Sequence, residues 1–300
     1  MKRTGLVVLG TVALIAMNTV TAASASAEAP EFGRCLAHSG GKFKSGSCTT
    51  AAVPGEEKDE FYPAFGKAAN GEERPLVKKG YTVKAVATTE KPFIFTGTGE
   101  VLGAESQIAC TEAEAHGEII SNKEATEEQL IFKGCGNSGW GGCSTAGAAP
   151  GEIDMVNLVG MLVIESRGYN KETKTEEPVN NKLAVVTSPT VGEQWSEFRC
   201  GTEGVVSVRF SLRGHLMNSI KTNAMVLTYE VKFNGLKGNQ KPEHYSTGIN
   251  LETGKQTFTE ELSLEMADLN FPPPPAYEEW GLTQTSTSTF EEKVEASSLG

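Results

Sequence analysis

What the chain lacks narrows its chemistry first. It has four histidines (His38, His116, His215, His244) and no Cys-x-x-Cys pair, so a zinc site built on clustered sulfur and imidazole finds little support. No Gly-x-Ser-x-Gly elbow is present. Ser138 is a loop residue in Asn-Ser-Gly-Trp, and His215 lies next to strand signals, so a nucleophilic triad is not expected. The acidic run from Glu112 to Glu128 lacks the Asp-x-Asp-x-Asp-Gly spacing of a calcium loop and reads as a solvated face. Positive charge is in deficit as well. Against 27 Lys and Arg stand 38 Asp and Glu, a net charge of −11, which argues against nucleic acid or an anionic membrane surface as partner. No motif for a cofactor or a metal appears, and none is expected.

Long apolar runs are missing too. Gly5 to Met17 is the longest, at 13 positions, short of the roughly 18 needed for a membrane-spanning helix. It follows Lys2 and Arg3 and precedes the small residues Ala22-Ala23-Ser24-Ala25-Ser26-Ala27. That order predicts a signal peptide over residues 1–27, cleaved after Ala27, and a secreted protein with no membrane span after cleavage. Cleavage would remove two positive charges and leave 273 residues at net −13, enough chain for a sizeable core.

Six cysteines remain, at 35, 48, 110, 135, 143 and 200. An even number in an exported chain predicts three disulfides. Short loops favour Cys35–Cys48 and Cys135–Cys143 as local bridges, which leaves Cys110–Cys200 as the long-range one. The main rival pairs Cys110 with Cys135.

Residues 28–80 are poor in branched aliphatics and read as an N-terminal extension carrying a disulfide-closed hairpin. Residues 81–300 read as a β-domain. Tyr81, Val83, Ala85 and Ala87 alternate with polar residues, as do Met225, Leu227, Tyr229, Val231 and Phe233. Asn234-Gly235 then signals a turn. Glu152 to Glu165 is apolar on both faces, which fits a buried strand, or two strands bent at Gly160, with a core helix as rival. Thr289 to Ala296 is expected to close the sheet as an edge strand, after a polyproline strap at Pro272–Pro275. About a dozen short strands with long loops predict an all-β fold, an antiparallel sandwich or barrel stapled by disulfides.

Several segments resemble a group of exported bacterial proteins that occur as many paralogues. These are Glu31-Phe32-Gly33-Arg34-Cys35, Phe132-Lys133-Gly134-Cys135, Cys143-Ser144-Thr145-Ala146-Gly147-Ala148 running into Gly151-Glu152-Ile153, and Phe290 to Ala296. The resemblance covers most of the mature chain. It implies a common β-rich fold and supplies no catalytic or binding residues.

Two sets of residues remain as candidates for function. Trp140 at the tip of the Cys135–Cys143 loop, with Tyr277 and Trp280 beyond the proline run, are ligand-contact candidates if their rings are exposed. Candidate partners are cell-envelope polysaccharide or another surface protein. Glu118 and Glu152 occupy matching places in a twofold Gly-Glu-Ile echo, and would give a polysaccharide hydrolase its paired carboxylates if they met across a cleft. The competing reading puts each Glu at a strand start, facing solvent. A non-catalytic binding or structural protein is the expectation.

Overall fold

The computed structural model describes residues 30–37, 61–64, 79–88, 93–97, 107–128, 130–202, 206–220, 226–236, 239–270 and 274–297. The expected signal segment and the expected Cys35–Cys48 bridge lie outside the described residues. Among the described residues, apart from one short 3-10 turn at Pro178–Asn180, the regular structure is β.

In chain order the strands begin with β1 (Glu31–Ala37), β2 (Phe61–Ala64), β3 (Lys79–Val86), β4 (Ile94–Gly97), β5 (Gln107–Ala109) and β6 (Glu112–Ile119). Next come β7 (Glu124–Glu127), β8 (Ile131–Lys133), β9 (Gly136–Asn137), β10 (Gly141–Thr145), β11 (Ile153–Asp154) and β12 (Leu158–Ser166). They are followed by β13 (Tyr169–Asn170), β14 (Thr175–Glu176), β15 (Lys182–Pro189), β16 (Gln194–Thr202), β17 (Val206–Gly214) and β18 (Leu216–Ile220). The last are β19 (Val226–Leu236), β20 (Asn239–Lys241), β21 (Ser246–Ile249), β22 (Gln256–Phe258), β23 (Leu264–Asp268) and β24 (Tyr277–Ser297).

The 21-residue β24 is the spine of the molecule. Its first part, Tyr277 to Thr283, pairs with β23 on one edge and β4 on the other. From β4 the antiparallel ladder runs through β5, β9, β10, β16 and β17 back to β23, which closes an eight-stranded barrel. The later part of β24 pairs with β3 and β19. From β3 the ladder continues through β6, β7, β12 and β15 to β18. β18 then lies beside β19, although no ladder joins the two among the described residues. A second ring of strands thus grows from the same spine. β1 adds to its far end, with Phe32 opposite Ala296.

One continuous core runs through both rings. Phe93, Phe95 and Phe132 pack edge to face at their junction, with centroids 4.9 to 6.1 Å apart. Trp280 pairs across the ladder with Gly97, and its indole lies over that glycine. A Cβ there would sit 2.4 Å from the ring. A smaller apolar patch on the outside of the second ring, formed by Val163, Ala184, Val186 and Met217, is covered by Tyr245 and Leu262.

The cysteines correct the favoured pairing. Cys110 is bonded to Cys135, and Cys143 to Cys200. Ladder register is the reason. Cys143 stands directly opposite Cys200 between β10 and β16, whereas Ala109 opposite Gly136 brings Cys110 beside Cys135. Loop length, which favoured Cys135–Cys143, carries no information about which side chains share a face. Those two cysteines are neighbours only through the backbone, Cys143 N–H donating to Cys135 C=O at 2.9 Å.

Other local expectations also shift. The apolar run after Glu152 is two strands, but they part at Met155–Asn157 while Gly160 lies inside β12. Asn234-Gly235 is part of β19, not the turn, because Gly235 backs directly onto Gly281 of β24 and a Cβ on it would meet Leu282 N at 2.3 Å. Thr289 to Ala296 belongs to the spine and is paired on both edges rather than closing the sheet as an edge strand.

Candidate functional site

Gly117-Glu118-Ile119 falls in the second half of β6, with Glu118 opposite Gly80 and Thr126. Gly151-Glu152-Ile153 leads from a turn, where Gly151 has φ of 83°, into β11. The echo in sequence is therefore not an echo in structure. Glu152 lies near Lys133, at the Glu112–Glu114 end of β6, and accepts Ala149 N–H at 3.4 Å. Glu118 stands at the other end, in a shallow surface cleft with His116, Glu128 and Glu291. The two carboxylates are not brought together.

The aromatic candidates are packed rather than presented. Trp280 is 2% exposed and belongs to the core. Tyr277 lies beneath the Arg213 guanidinium, 3.6 Å from the ring centroid, and its hydroxyl donates to Ser211 Oγ at 3.0 Å. Trp140 is half-buried against Phe210 with ring centroids 5.6 Å apart. Asn137 Oδ1 holds its hairpin, accepting the N–H groups of Gly139 and Trp140 at 2.7 and 3.1 Å. The Gly-rich tip is thus a short turn folded back onto the first barrel.

The concave site lies elsewhere, in the lumen of the second ring. Every strand of that ring contributes to its wall: Tyr81 and Val83 from β3, Ile119 from β6, Ala125 and Glu127 from β7, and Gly160 from β12. Val185 and Thr187 come from β15, Asn218 and Ile220 from β18, and Tyr229, Val231 and Phe233 from β19. The two-residue period of β24 turns Leu282, Gln284, Ser286, Ser288 and Phe290 inward together. Small side chains at Ala125, Gly160, Ser286 and Ser288 are what leave the middle open. The cavity has a volume of about 90 Å³. One water needs roughly 10–15 Å³ by that measure, so the lumen has room for several waters or one compact organic molecule.

Most of the wall is apolar, with a few polar groups in it. Gln284, Ser286, Ser288 and Asn218 are buried, and none makes a side-chain hydrogen bond among the described residues. Among the described residues, Glu127 is the one carboxylate in the wall, and no Lys, Arg or His lines it. Glu127 keeps some accessible surface because it faces the cavity, yet protein encloses its carboxyl, and that burial pushes its pKa from 4.5 up to about 7.

Tyr81 and Tyr229 frame the acid. Tyr81 donates its hydroxyl to Thr126 C=O at 2.8 Å, and burial followed by the Glu127 charge raises its pKa well above the ordinary value. The Tyr229 hydroxyl accepts Ala296 N–H at 3.0 Å, and burial raises its pKa also. Both phenols stay protonated. Among the described residues, the lumen therefore offers hydroxyls, two amides and one ionisable acid, with no nucleophile–base pair.

Sequence reasoning missed this site. The inward residues of β24 are Gln and Ser at its centre, so Thr283 to Thr289 reads as polar on both faces and gives no alternation. The available signal was an inverted one, a long β-branched polar run with small residues at every second place.

The two disulfides fit an oxidising compartment. No helix among the described residues is long and apolar enough to cross a membrane. Comparison with family models, with curated proteins and with solved structures finds no match.

Proposed function

We propose that this is an exported, non-catalytic binding protein that holds a compact, mostly apolar molecule in the lumen of the second ring. The observation that carries this reading is the wall itself: eight strands line one space, mostly apolar, with polar groups that have no hydrogen-bond partner among the described residues. Binding cavities combine those two features around an open space, whereas a core filled for stability alone is close-packed and leaves no polar group unpartnered. The signal-like N-terminus and the disulfides support action outside the reducing cytosol.

Binding that is confined to the folded state raises the melting temperature with ligand concentration. Screening compact aromatic and aliphatic compounds by thermal shift is expected to yield stabilisers. Ser286→Leu, which fills the lumen from the spine, is expected to abolish the shift while the fold is kept. A screen without stabilisers, or shifts unchanged in Ser286→Leu, would contradict the reading.

A further inference from the structure

The lumen contains an electrostatic asymmetry that its own chain does not resolve. Glu127 is enclosed by protein, faces the cavity, and makes no ion pair or side-chain hydrogen bond among the described residues. Its opposite numbers in the ladder are Gly117 on β6 and Leu158 on β12, neither of which offers a charge. The titratable groups that face the lumen with it are Tyr81 on β3 and Tyr229 on β19, both neutral phenols. An enclosed carboxylate without a counter-charge is costly, and the groups present do not offset that cost.

We propose that the ligand of the lumen is a small organic cation, an ammonium on a compact apolar body, whose charge pairs with the Glu127 carboxylate. This rests on the reading of the lumen as a binding site and names the class of its ligand. The surrounding chemistry suits that class. Tyr81, Tyr229 and Phe290 present ring faces or edges around the space, and aromatic faces attract cations. Ser286, Ser288 and the Gln284 carbonyl supply further acceptors for ammonium N–H. An anionic ligand would meet Glu127 with no Lys, Arg or His among the described lining residues to receive it. The acidic surface of the whole chain, net −11, favours approach of a cation as well.

The test uses three probes of one size: phenethylamine, phenethyl alcohol and phenylacetate, titrated calorimetrically into the full protein. At about pH 8.5, where Glu127 is ionised, the ammonium is expected to bind about tenfold or more tighter than the alcohol, with phenylacetate weakest. Glu127→Gln is expected to bring the ammonium to the level of the alcohol and leave the alcohol unchanged. In the wild-type protein, lowering the pH through the Glu127 pKa of about 7 is expected to weaken the ammonium alone. An alcohol or anion that binds as tightly as the ammonium, or an ammonium preference that survives Glu127→Gln, overturns the cation assignment and leaves the lumen reading standing. Absence of binding by all three probes, or binding that survives Ser286→Leu, overturns the lumen reading and the cation with it.

Discussion

Tyr81 and Glu127 stand in one rank of the second ring, two strands apart, with Gly117 between them. Because Gly117 has no side chain, the Tyr81 ring lies across β6 and its hydroxyl reaches Thr126 C=O on the next strand. The wall around the acid is thus set by a glycine. A Cβ on Gly117 would sit 2.5 Å from the Tyr81 ring and 2.0 Å from the Thr126 carbonyl oxygen.

Gly117→Ala is accordingly expected to destabilise by about 3 kcal/mol or more, because one of the two clashes is with backbone that cannot move aside. Tyr81→Phe keeps the ring and loses one hydrogen bond, at about 1 kcal/mol. Urea titrations of the two variants check the order. A Gly117→Ala protein as stable as wild type would mean the ring does not lie over that strand.

Stability should fall as pH rises. The folded-state pKa of Glu127, about 7, lies above its ordinary 4.5, so between those values the folded protein holds a proton that the unfolded chain has lost. The stabilisation is complete at low pH and disappears as the acid ionises, an effect of roughly 3 kcal/mol for a shift of this size. Burial of Glu295 acts in the same direction. In Glu127→Gln the difference between about pH 5 and pH 8 is expected to shrink by most of that amount. An identical pH profile for variant and wild type would show that Glu127 is solvated.

Peptide mapping under non-reducing conditions should recover Cys110–Cys135 and Cys143–Cys200. Removing either bridge by paired Cys→Ala substitution should cost about 2–4 kcal/mol. Their separations of 25 and 57 residues make the second the costlier, by about 0.7 kcal/mol on loop entropy. A Cys135–Cys143 peptide would contradict the register of the first barrel.

Trp280→Ala and Trp140→Ala separate core from surface. Trp280 is fully packed on Gly97, and its loss should cost about 3–5 kcal/mol. Trp140 is half-buried on Phe210, so its truncation should cost less and leave binding in the lumen of the second ring unchanged. Chemical denaturation and the thermal-shift assay read the two effects.

The sequence announced the β class where Tyr81, Val83 and Ala85, all buried, alternate with polar residues at a visible period of two. It concealed the connectivity of the cysteines, since pairing follows from which positions share a ladder rung, as at Cys143 and Cys200, and not from loop length. Trp280 is a related case. The proline run before it suggests an exposed segment, whereas its burial depends on Gly97, far away in the chain. The lumen was hidden because a cavity wall inverts the usual rule. At Gln284, Ser286 and Ser288 polar residues face inward, and a hydrophobic pattern passes over them. Glu127 looked like one more acid in a solvated run, and only its place beside Ala125 on the inner face of β7 distinguishes it.

The most direct measurement is a crystal structure of the protein soaked with phenethylamine. The account predicts the aromatic ring within the second ring of strands, among Tyr81, Tyr229 and Phe290, with its ammonium nitrogen about 2.8 Å from a Glu127 carboxylate oxygen. A lumen closed by its own side chains, or density for the amine only on the outer surface, would contradict it.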